Sequence, residues 1–288
     1  MTQPPPHGAP DGDAGRPDLA DLDGHGTGSS GAVPVVAAPS RPLPGTTGRG
    51  ATEPPGPMPA PAPPVAAQAI FGESLPLVRR FAAELADTGV SHGLIGPREV
   101  PILWDRHLLN CAVFHQAFPH GVEVVDIGSG AGLPGLVLAI VRPDLRLHLV
   151  EPMLRRTTWL EATVRALGLD NVEVHRGRAE ELRGQISVPF ATARAVARID
   201  KLAGWTFPLL ADEGTLVALK GARAAEELTA QEKGLRRLGM ASGRVRSYGA
   251  DLLAVPSITL ELTVGARATG RGARPSKGQK QRGRRRPR

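Results

Sequence analysis

The stretch Asp126-Ile-Gly-Ser-Gly-Ala-Gly-Leu-Pro-Gly135 constrains this chain more than any other. It follows the apolar run VEVVDI (122–127), which reads as a buried strand, and precedes Leu133 to Val141, which reads as a helix. A strand that turns through three glycines into a helix is the opening of a βαβ unit. Gly128, Gly130 and Gly132 let the backbone bend sharply and approach a ligand with no Cβ in the way. Open parallel sheets bind ligands beyond the carboxyl ends of their strands, and this turn lies there.

The pattern then repeats. LRLHLV (145–150) is the next strand, followed by a helix from about Met153 to Leu167 that stops at Gly168. NVEVHR (171–176), FATARAV (190–196) and TLVALK (215–220) are further strands, and SITLELTV (257–264) is one with strong alternation. Helices fall between them: one carries Leu202, Trp205 and Leu209, another spans Ala222 to Leu238. Upstream, Phe71, Leu75, Val78, Phe81 and Leu85 recur at helical spacing, with Ser74 as candidate N-cap. A second helix is expected after Asp105, carrying Leu108, Leu109, Ala112 and Val113. Short apolar strands alternating with helices give a doubly wound α/β domain with a mostly parallel sheet. Its expected limits are 65–264, divided into a helical part at 65–118 and the sheet at 119–264.

Composition bounds the flanks. Residues 1–64 hold 16 prolines and 11 glycines and few large apolar side chains, so they cannot offset the entropy of ordering and are expected to be a disordered leader. Residues 265–288 carry ten bases and no acid, whereas residues 65–264 carry 22 of each sign. The formal net charge of +7 therefore belongs to the tail, expected to be disordered and to contact nucleic acid through its phosphates. The longest strongly apolar run, Leu136 to Val141, is far short of the roughly 20 residues a membrane helix needs. With no secretory signal either, a soluble cytoplasmic protein is expected. Cys111 is the sole cysteine, which excludes a cysteine-based zinc site, and His115 and His120 have no partners at ligand spacing, so no metal is expected.

Which ligand the turn holds is decided by charge. Gly130, Gly132 and Gly135 match a dinucleotide fingerprint, but the strand runs to Asp126 and Gly128, and a carboxylate at Asp126 repels a pyrophosphate. The same group suits the sulfonium and ammonium of S-adenosylmethionine, preferred here over NAD. Glu151, closing the second strand, is placed to accept hydrogen bonds from two ribose hydroxyls, a feature both cofactors share. After the third strand, Ala179 and Glu180 are placed to read an adenine edge, although Glu180 and Glu181 also suit the charged first turn of a surface helix.

These residues resemble a known family, the S-adenosylmethionine-dependent methyltransferases of a guanine N7 in small-subunit (16S) ribosomal RNA, also called glucose-inhibited division protein B. The matching pieces are Arg106-His-Leu-Leu-Asn110, Val125 to Gly135, Val141-Arg-Pro143, Ala193-Arg-Ala195 and Leu219-Lys-Gly221. The resemblance covers about residues 66–264. It implies a Rossmann-like class I methyltransferase fold with a seven-stranded sheet, and S-adenosylmethionine as cofactor. The partner it implies is small-subunit ribosomal RNA or a pre-ribosomal particle. It carries cofactor binding onto Gly128, Leu133, Ala179, Glu180 and Arg194, beside the Asp126, Gly130 and Glu151 read above. No residue is assigned certain catalysis; Arg194 and Arg198 are the positioning candidates. Asn110-Cys111 and Ala193 depart from the Asp-Ser and Ser common in the family, so essential chemistry is not expected there. The alternatives are a methyltransferase on another RNA or a small molecule, or a non-catalytic ribosome-associated RNA-binding protein.

Overall fold

A computed structural model describes residues 59–194 and 197–266. The leader expected at 1–64 and the basic tail expected at 265–288 fall almost wholly outside the described residues. Seven strands form one sheet in the order β3-β2-β1-β4-β5-β7-β6. They are β1 (Glu123–Ile127), β2 (Arg146–Glu151), β3 (Val172–Arg176), β4 (Val188–Arg194), β5 (Leu210–Lys220), β6 (Met240–Tyr248) and β7 (Ser257–Val264). The first five are parallel, and β7 runs antiparallel between β5 and β6.

The central strands are apolar on both faces because helices cover both. Val124, Leu147, Leu149, Val217 and Leu219 face one core. It is shared with α1 (Val65–Phe71), α2 (Leu75–Glu84), α3 (Asn110–Ala112), α4 (Gly135–Val141) and α5 (Leu154–Leu167). Val125, Ile127, Val150, Ala191, Leu216 and Leu260 face the other, with α6 (Ile199–Thr206) and α7 (Ala224–Arg237). This period-two division is what continuous apolar strands require. Arg142 ties the helical part to the sheet. It pairs with Asp144 at 2.6 Å and donates to the carbonyls of His115, Phe118 and Pro119.

Three expectations change in detail. Ser74 makes no side-chain cap hydrogen bond: its backbone is helical, because a 3-10 turn at Gly72–Ser74 joins α1 to α2. The helix expected after Asp105 starts earlier, as a 3-10 segment at Pro97–Ile102 and a π-helical segment at Leu103–Leu109 that lead into α3. Prolines at the first turn of a helix remove only N–H groups that have no partner anyway, so Pro97 begins this run instead of preventing it. Finally, β6 corresponds to none of the strands read from the sequence, because seven of its nine residues are exposed.

Candidate functional site

The carboxyl ends of β1 to β4 surround a cavity of about 560 Å³. Its walls come from Ile127 and Gly128 after β1, Val150 to Met153 after β2 with Arg156, Gly177 to Glu180 after β3, Arg194 at the end of β4, and Trp205 on α6. The structure thus brings together Gly128, Glu151, Ala179, Glu180 and Arg194. Gly128 has φ 69°, a conformation that side chains rarely adopt, and its N–H bonds the carbonyl of Val150.

Glu151 is the organising residue. It is 2% exposed, yet it reaches the cavity. One oxygen accepts the N–H of Gly130 at 3.1 Å and the other the N–H of Met153 at 3.1 Å. A carboxylate has about four acceptor sites, so each oxygen keeps one for a ligand hydroxyl. Arg156 lies 3.5 Å from the same carboxylate, and its Nε is buried without a partner. Sequence reasoning missed Arg156 and Met153; their one signal was position, directly after the strand that ends in Glu151.

Asp126, Gly130, Leu133 and Arg198 are not among the lining residues. Asp126 is fully buried beneath the turn, where Oδ2 accepts the N–H of Gly135 at 3.1 Å and Oδ1 has no partner. It holds the first residue of α4, and the carboxylate that faces the cavity is Glu151. The charge argument that separated S-adenosylmethionine from NAD through Asp126 therefore does not operate across this cavity wall. Gly130 contributes its N–H to Glu151, and Leu133 packs half-buried against the helical core. Arg198 is exposed and paired with Asp200 at 3.1 Å.

Burial raises the Asp126 carboxyl to about 7 from 3.8. A carboxyl with a higher pKa folded than unfolded binds protons on folding, so its contribution is complete below pH 3.8 and is lost as pH rises to about 7. In Asp126→Asn this pH-dependent loss disappears. Urea melts at intervals across that window measure it, and an unchanged slope contradicts the assignment.

Arg194 is held from behind. One Nη donates to His107 Nδ1 at 2.5 Å and the other to Cys111 Sγ at 3.4 Å. A guanidinium has no acceptor, so His107 Nδ1 must be the acceptor, and the ring proton sits on Nε2, which donates to Glu99 at 2.7 Å. Burial and the Arg194 charge lower the His107 pKa and keep the ring in this neutral form. Cys111, the departure from the family pattern, is thus a packing neighbour of Arg194, while Asn110 accepts the Ser257 hydroxyl. Trp205 lies under Lys201, whose Nζ is 5.1 Å from the ring centroid.

A family model described as "GidB: rRNA small subunit methyltransferase G" matches residues 74–252. A protein named ribosomal RNA small subunit methyltransferase G from Thermobifida fusca is 50% identical over 228 residues, covering 77% of this chain and 96% of that one. A protein of the same name from a Nocardioides species is 53% identical over 200 residues, covering 69% and 80%. Among solved structures, a SAM dependent methyltransferase from Aquifex aeolicus aligns over 59% of this chain and 99% of its own, at 18% identity and a TM-score of 0.43. With the match spanning β1 to β6, the glycine turn and every lining residue of the cavity, the chain belongs to the GidB family, rRNA small subunit methyltransferase G.

Proposed function

We propose that this chain transfers a methyl group from S-adenosylmethionine to N7 of a guanine in small-subunit ribosomal RNA, in the cytoplasm. The observation that carries the reading is the buried Glu151 carboxylate at the cavity wall, within a family whose members are named for this RNA. The cavity volume is in the range of small-molecule sites. The free acceptor sites of Glu151 suit a ribose diol. The apolar surfaces of Ile127, Val150, Ala179 and Trp205 suit a flat purine, and the backbone of Gly128 leaves room for the amino-acid portion. The residues therefore fit this cofactor, which when bound supplies an electrophilic methyl on a sulfonium.

Guanine N7 has an in-plane lone pair and no proton, so no general base is needed. The residues here agree with that: His107 is neutral and its proton points to Glu99, away from the cavity-facing Arg194. The work of the chain is to position. Arg194, fixed by His107 and Cys111, faces the cavity from β4, where it orients the target base. Holding two reactants in line is worth up to roughly 7–11 kcal/mol. The A-form major groove is too narrow to admit an active site, so the guanine must be unpaired or splayed out. The basic residues 265–288, outside the described residues, would add salt-dependent affinity for phosphates.

Purified protein should incorporate one methyl group into small subunits from a strain lacking the modification, and nuclease digestion with mass spectrometry should return 7-methylguanosine. Product at another atom, or only on protein, rejects the reading. Arg194→Ala should lower kcat about a hundredfold, the cost of a small misplacement. A kcat within twofold of the unaltered protein would remove Arg194 from the positioning role.

A further inference from the structure

We propose that His148, His175 and Glu173 form a binding site for a zinc-class divalent cation on the open face of β2 and β3. Parallel pairing sets His148 opposite Glu173, and His175 lies two residues further along β3 on the same face. His148 Nδ1 and His175 Nε2 are 3.1 Å apart. Glu173 Oε2 lies 3.8 Å from the first and Oε1 3.7 Å from the second, and one ligand atom from each of the three residues lies within 4.8 Å of the others. Donors held about 2.0–2.1 Å from a tetrahedral zinc ion stand roughly 3.4 Å from one another, so side-chain adjustments bring one donor of each residue onto a single ion. Two imidazoles and one carboxylate are a zinc ligand set that leaves a fourth position for water.

A second observation points the same way. His148 is 9% exposed, and its Nε2 is buried with no hydrogen-bond partner. Glu123 Oε2, on the neighbouring strand β1, lies 3.9 Å from that nitrogen. A histidine that ligates through one nitrogen usually donates its other N–H to a carboxylate, and Glu123 is half-exposed and free to close this distance. The orphaned nitrogen thereby gains the partner it lacks. Arg146 Nη2, 3.6 Å from Glu173, is an opposing charge; its side chain is 61% exposed and moves into water when an ion takes its place.

The fold explains why this face is accessible. Only a 3-10 turn, Ala179–Leu182, lies between β3 and β4, and α5 packs on β3 from the opposite face. An ion here would clamp β2 to β3 where no helix covers them. The site is distinct from the cavity, which begins at Val150 and Gly177, and the inference does not rest on the proposed reaction.

The test is calorimetric titration of zinc into the chelator-treated full chain, with the visible absorption of cobalt(II) as a second readout. One equivalent should bind, with tetrahedral cobalt bands, and it should be lost in both His175→Ala and Glu173→Gln. Glu123→Gln should weaken it about 10–100-fold. Glu173 is half-exposed, so Glu173→Gln keeps the fold, which a thermal melt without metal checks. Absence of a bound equivalent, or an equivalent that survives His175→Ala and Glu173→Gln, overturns the proposal. The pair would then be an imidazole–imidazole hydrogen bond alone.

Discussion

Replacing Glu151 by alanine weakens S-adenosylmethionine binding by at least about a hundredfold. Each hydrogen bond to a charged acceptor is worth about 1.5–3 kcal/mol, and the substitution removes the acceptors for two ribose hydroxyls together. It also frees the N–H groups of Gly130 and Met153, so the turn loses one of its ties to β2, while Gly128 and Ser129 still bond the Val150 carbonyl. Glu151→Gln separates the two effects. It keeps one carbonyl acceptor of the same shape, and the loss should shrink to about tenfold. Calorimetric titration of the cofactor reads both variants, with NAD as competitor to identify the ligand. Affinity unchanged in Glu151→Ala would remove the carboxylate from the site, and displacement by NAD at equal concentration would overturn the cofactor.

Gly135→Val should be strongly destabilising, costing about 3 kcal/mol in urea melts. A Cβ at this position would stand 2.3 Å from Leu149 Cδ2 and 2.7 Å from Asp126 Oδ2, both inside a packed core. The backbone there is also the donor to Asp126, so any shift that relieves the clash strips the buried carboxyl of its partner. Gly130 is the comparison. Its nearest atom is 3.8 Å from a built Cβ, and the difficulty there is conformational, with φ +56°. A melting midpoint for Gly135→Val equal to that of the unaltered chain would contradict this packing.

Much of the sheet was legible because its central strands are buried on both faces and spell nearly unbroken apolar runs, while β3 shows plain alternation. The strand at 257–264 was read with the bounds it has, and β1, β2 and β3 differ by one residue. What the residues alone did not show is β6, whose identity comes from its partner. Arg244 on β6 reaches Glu261 on β7 at 2.7 Å, and Tyr248 donates to the same carboxylate at 2.5 Å. Such cross-strand contacts leave no periodic trace in the chain that makes them. The irregular helical run from Pro97 was hidden for a related reason: its apolar residues follow 3-10 and π spacings in turn, which no single period captures.

At the site, Gly128, Glu151, Ala179, Glu180 and Arg194 were legible because strand ends can be counted. The position of Asp126 was not. Strand alternation shows which face a side chain takes, but only the packed turn shows that this carboxyl points under the loop. His148 and His175 were passed over for the same kind of reason. They are 27 residues apart, and the register of β2 on β3 alone makes them neighbours.

The strand order has a consequence for synthesis. Because β7 separates β5 from β6, a nascent chain halted before Ser257 has both β5 and β6 complete but nothing to join them. The apolar edge at Leu216–Leu219 then stays unpaired, a template for other strands until β7 is made and free to pair. Truncation within β7 therefore removes the junction between two strands that are themselves intact.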